Sequence, residues 1–106
     1  MNAHWNKKLG LLVSSPPDRP GFAHALRLAQ TALDRGVEVY LYCIDDAVAG
    51  LDSPLLKTLT AGGLKLYACA YSADRRGLTR TDFPLWVGLG SLSDLIAGTD
   101  RFVSFN

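Results

Sequence analysis

The sequence predicts an α/β protein: a parallel sheet with helices on both faces. Three observations lead there. Short, nearly continuous apolar runs recur along the chain, as in strands covered on both sides. Between them the apolar spacing changes to that of a helix. The connections are short and marked by glycine and proline, so each helix returns the chain to begin a strand beside the last.

The first run, Leu9-Gly10-Leu11-Leu12-Val13-Ser14, reads as a strand. Three prolines make Ser15-Pro16-Pro17-Asp18-Arg19-Pro20-Gly21 a loop, because each fixes φ and removes an N–H donor. From Phe22 the apolar residues Ala25, Leu26, Ala29, Ala32 and Leu33 share one helical face, and Gly36 stops the helix, with Arg35 in its last turn. Val37 to Ile44 is β-branched and aromatic, a second strand ended by Asp45-Asp46. Ser53 and Pro54 have the character of an N-cap and first helical residue, opening a helix through Leu55, Leu56 and Leu59 that Gly62-Gly63 closes.

Leu64 to Ala68 forms a third strand with Cys69 at its C-terminal end. A short helix from Tyr71 to Arg76 follows, ended by Gly77. Pro84 to Val87 gives a short fourth strand. Ser91 and Asp94 are spaced as a capping box for a helix over Leu92 to Ala97, and Arg101 to Phe105 is the final strand.

A chain of 106 residues is one domain, covering 1–106, with residues 1–7 expected as a flexible tail. Folding a chain of this size buries about 65% of its surface, enough for a core without disulfides or metal. With 48% hydrophobic and 20% charged residues the composition is globular. A net charge of +1 argues against a broad nucleic-acid footprint. The polar start is not expected to act as a signal peptide, and no apolar run is long enough to span a bilayer. Two cysteines do not make a disulfide scaffold, so a cytoplasmic protein with reduced thiols is expected. A small sheet with exposed edges favours self-association.

Ligands of open parallel sheets bind beyond the C-terminal strand ends. There the segment Cys69-Ala70-Tyr71-Ser72-Ala73-Asp74-Arg75-Arg76 carries the strongest chemistry. The thiolate is the nucleophile, and at a free pKa of about 8.5 a thiol is only a few per cent ionised near neutral pH. A helix N-terminus and guanidinium groups nearby favour the anion. Free cysteine is equally at home as a small buried hydrophobe, and the spacing alone leaves both readings open. Cys43, in an apolar strand beside Asp45 and Asp46, is expected to be buried and inert, and a Cys43–Cys69 disulfide is not expected.

Cys69 to Arg75 also matches the Cys-x5-Arg spacing of oxyanion enzymes such as phosphatases and arsenate reductases. Such a loop uses glycine to form its nest, and residues 70–74 contain none. Asp45-Asp46 lacks further ligands to complete a metal site, so no metal or cofactor is expected. His24 is expected at the surface, and His4 falls in the expected tail.

Ser14-Ser15-Pro16-Pro17-Asp18-Arg19-Pro20 before an alanine-rich helix resembles the opening of the DsrE/DsrF-like sulfur-relay family, which includes the TusD-like proteins. Arg35 to Val39, Ile44 to Val48, Cys69 to Leu78, and Gly90 through Phe105 are similar to its later segments. The resemblance implies a three-layer α/β/α fold on a five-stranded, mainly parallel sheet, and assembly as a homo-oligomeric trimer or hexamer. It further implies a persulfide on Cys69, with sulfur donors and acceptors that are usually proteins. On this reading Cys69 is catalytic in a sulfurtransferase-like carrier, and Tyr71, Ser72, Arg75 and Arg76 bind substrate or activate the thiol. Ser15, Pro16, Asp18 and Asp45 rim the pocket. The donor is a protein or a small sulfane-sulfur compound, without nucleic acid or membrane. The alternative is a binding or scaffold module of the same fold with an inert Cys69.

Overall fold

The computed structural model describes residues 7–106. Its elements are β1 (Lys8–Val13), α1 (Pro20–Asp34), β2 (Glu38–Cys43), a 3₁₀ segment (Asp45–Gly50), α2 (Pro54–Ala61), β3 (Lys65–Cys69), α3 (Ala70–Arg75), β4 (Leu85–Val87), α4 (Gly90–Gly98) and β5 (Arg101–Phe105). All strand pairs are parallel, in the order β4-β3-β2-β1-β5. The chain steps outward from β1 to β4. It then returns through α4 to lay β5 on the other side of β1.

Alternation along the strands divides the sheet into two unlike faces. On one, Leu11, Val13, Val39, Leu41, Cys43, Leu66 and Ala68 pack against Phe22, Ala25, Leu26, Ala29 and Ala32 of α1 and Leu56 and Leu59 of α2. The alanines on α1 let the helix lie close to the sheet, so this face is dry and filled. The other face carries Gly10, Tyr40, Tyr42, Tyr67 and Leu85. Only part of it is covered, by α4 and Phe102. A Cβ at Gly10 would meet the Phe102 ring at 2.7 Å, so glycine is what allows that approach.

Several expectations shift. Pro20 and Gly21, expected in the loop, open α1 instead, because proline fits the first helical position, whose N–H has no intrahelical partner. Arg35 lies one residue beyond the last turn, at the C-cap. Ser53 holds the N-cap position of α2 but its side chain makes no cap bond. Ser91 is already inside α4, whose N-cap is Leu89, so the expected capping box does not form. The 3₁₀ segment after β2 was not expected; it is built by bonds such as Ala47 N–H to the Ile44 carbonyl at 3.0 Å. The expected tail, with His4, lies outside the described residues apart from Lys7, whose carbonyl accepts the Glu38 N–H at 2.9 Å.

Candidate functional site

β3 delivers Cys69 to the C-terminal edge of the sheet, and α3 starts at the next residue. Cys69 is therefore the N-cap of α3, and its Sγ accepts the Ser72 N–H at 3.4 Å. A sulfur commonly accepts at this longer distance, and the N–H is placed to meet a sulfur carrying negative charge. Both Cys69 and Ser72 are buried, Cys69 completely. The Ser72 hydroxyl accepts the Asp45 N–H at 2.9 Å, which ties α3 to the first residue of the 3₁₀ segment after β2. Asp45 itself has φ +50°, in the left-handed region that non-glycine residues seldom occupy.

The arginines do not point their donors at the thiol. Arg75 donates to the Tyr71 hydroxyl at 3.3 Å, with its guanidinium 5.8 Å from that ring's centre. Arg76 bonds Asp46 Oδ1 through Nε at 3.1 Å and through its second terminal nitrogen at 3.0 Å. Its remaining terminal nitrogen bonds the Ser72 carbonyl at 3.2 Å. Residues 70–75 are helical, and Arg75 lies over Tyr71. The Cys-x5-Arg spacing thus builds no oxyanion cradle here.

Asp45, Tyr71, Ser72, Arg75 and Arg76 line one open depression of about 460 Å³ at the strand ends. Ser15 and Pro16 line a separate one of about 350 Å³ with Ser14, Arg19, Pro20, Asp46 and Asn106. The expected rim is therefore two neighbouring hollows, and Asp18 is an exposed residue lining neither. Asp46 and its partner Arg76 stand between them. Ser15 Oγ is buried without a hydrogen-bond partner among the described residues.

Cys43 is also fully buried, and burial pushes its thiol up to about 12. Both cysteines are free. Cys43 lies opposite Ala68 in register, so Cys69, one residue on, faces the other side of the sheet. Adjacent strands thus hold the two thiols on opposite faces, which rules out a bond between them in this fold.

Sequence reading missed the tyrosine row. Tyr40, Tyr42 and Tyr67, with Leu85, Val87 and residues of α4, line a groove of about 390 Å³ on the partly covered face. Tyr67 lies 6.4 Å from Tyr40 and 6.3 Å from Tyr42 between ring centres. The signal was present in Tyr40 and Tyr42, two apart on one strand. Tyr42 donates to the Gly88 carbonyl at 2.7 Å, and burial followed by the nearby Cys69 sulfur pushes its phenol up to about 12. Cys69 therefore sits where the tyrosine face ends and the strand-end depression begins.

A parallel α/β domain with a thiol closing its third strand is the class this fold and site define. A sequence model of the DsrE/DsrF-like family matches residues 7–105, and the chain belongs to that family. Among solved structures it is similar to the ychN protein from E. coli, with 22% identity and a TM-score of 0.79 over 93% of this chain and 98% of that one. It is also similar to a conserved protein of unknown function, BT1422, from Bacteroides thetaiotaomicron, with 17% identity and a TM-score of 0.69 over 98% and 97%. At these identities the likeness shows the fold. No curated protein matches.

Proposed function

We propose that the protein is a small sulfur carrier that holds a persulfide on Cys69 and passes it to an acceptor thiol. The observation that carries this reading is the position of Cys69: last residue of β3, Sγ facing the Ser72 N–H, at the strand end of a DsrE/DsrF-like fold. The Cys69 thiolate attacks the terminal sulfur of a donor persulfide, forming the Cys69 S–S bond as the donor's S–S bond breaks. The donor leaves as a thiolate. With thiosulfate the same attack releases sulfite. Transfer onward reverses the step: an acceptor thiolate takes the outer sulfur and Cys69 leaves as thiolate. Arg75 and Tyr71, exposed on the depression, would dock an anionic donor, and Ser72 supplies the N–H that faces the sulfur. The partners are donor and acceptor proteins or a small sulfane-sulfur compound, met in the cytoplasm by a homo-oligomer of this chain.

Intact-mass analysis of reduced protein after polysulfide or thiosulfate treatment tests it, with Cys69→Ser as control. Gain of sulfur that a thiol reductant removes and the variant lacks is the expected result. Equal gain in both proteins, or none, defeats the carrier reading. One observation favours a second reading, a binding module with an inert thiol: Cys69 is 0% exposed in this conformation. Under that reading both native thiols resist alkylation throughout.

A further inference from the structure

We infer that α3 is a latched lid over Cys69 and that the Asp46–Arg76 ion pair is its catch. A buried sulfur cannot form or break an S–S bond with a second molecule, so any chemistry at Cys69 requires the cover to move. α3 is suited to moving. It has six residues, far short of the length at which an isolated helix holds together in water. Only Ser72 and Ala73 of it are buried. Its attachment to the segment after β2 is polar: the Asp45 N–H to Ser72 Oγ, and Arg76 bridging Asp46 to the helix's own Ser72 carbonyl.

The C-terminal end of the lid supports hinging. Gly77 follows it with φ +65° and open space where a side chain would stand, and residues 77–82 are exposed. On the receiving side, the residue whose N–H bonds Ser72 is Asp45, held at a left-handed φ of +50°. Asp74 is paired with Arg80 at 2.7 Å and Arg75 lies over Tyr71, so neither competes for the catch. Opening exposes the sulfur to a donor docked in the depression that Tyr71 and Arg75 line.

The inference rests on the carrier reading for its purpose, but its test does not. The rate at which neutral iodoacetamide labels Cys69 in the native full chain follows the open population, and Cys43 in the same molecule reports global unfolding. Asp46→Asn and Arg76→Gln are expected to speed Cys69 labelling by about two- to fivefold, the factor a half-exposed ion pair can supply, with Cys43 unchanged. About 0.5 M sodium chloride, where the screening length is roughly 4 Å, should speed the wild type and leave both variants unaltered. The reversed pair, Asp46→Arg with Arg76→Asp, restores slow labelling. Unchanged rates in both single variants overturn the latch. So does a parallel rise at both cysteines, or acceleration by Tyr42→Phe alone, which would make the Gly88 loop the cover. Sulfur loading is scored separately. Faster labelling without any sulfur gain sinks the carrier reading and keeps the lid, whereas equal loading rates in all variants keep the carrier and sink the lid.

Discussion

At the scale of single residues, the two cysteines differ in what lies above them. Cys43 faces the filled side of the sheet, under α1 and α2, and burial pushes its thiol up to about 12. A thiol that ionises more readily unfolded than folded favours the native state below the unfolded value, near 9, and that contribution is lost as pH rises through about 12. Urea midpoints measured against pH are therefore expected to fall across this alkaline window, and less steeply in Cys43→Ala. Tyr42, also pushed up to about 12, adds to the fall in the same direction from its own ordinary value near 10. Its hydrogen bond to Gly88 makes a second prediction: Tyr42→Phe costs about 1 kcal/mol in a urea titration at neutral pH. Asp45→Val should cost about 1–2 kcal/mol by the same measurement, since a β-branched residue pays that to stay at positive φ, while Asp45→Gly is tolerated. Cys69 and its arginines were visible in the sequence as a group. Where the arginines point was not, because Arg76 is claimed by Asp46, thirty residues away.

At the scale of elements, packing quality differs sharply between the two sides of the sheet. α1 buries Phe22 and four further residues, and α2 buries Leu56 and Leu59, whereas α4 has no buried residue. Leu56→Ala is expected to cost about 2–5 kcal/mol, as cavities in filled cores do. Hydrogen exchange should show amides of α4 exchanging well ahead of those of β1, β2 and β3, since opening α4 exposes little that is apolar. Equal protection across these elements would mean that α4 is held as firmly as the sheet. The strong elements were the legible ones: the alanine-leucine face of α1 and the β-branched run of β2 carry period and propensity together. Element ends were less legible, because proline at the start of α1 and serine inside α4 both satisfy local rules at more than one register.

For the whole molecule, Leu85 on the three-residue edge strand β4, Leu89 and Ile96 around α4 and, on the opposite face of the sheet, Val103 are exposed. Apolar surface of this kind favours association of copies. Sedimentation is expected to give a mass of several chains, and Leu85→Glu with Ile96→Glu to shift it toward one. A wild type that runs as a single chain at every concentration would remove the assembly from the proposed function. The residues along the chain already imply the order of the strands and helices around them, the parallel sheet, the family and a cysteine at the end of the third strand. The elements rest on period, propensity and spacing, which are properties of neighbours along the chain, and the family rests on the resemblance of several segments. Folding in space decides that Cys43 and Cys69 face opposite sides, that the expected rim is two hollows, and that Cys69 is buried with its Sγ accepting the Ser72 N–H. Each of those depends on strand register and on pairs such as Asp46 with Arg76, Asp45 with Ser72 and Tyr42 with Gly88. Such contacts are fixed by folding in space, and no local pattern encodes them.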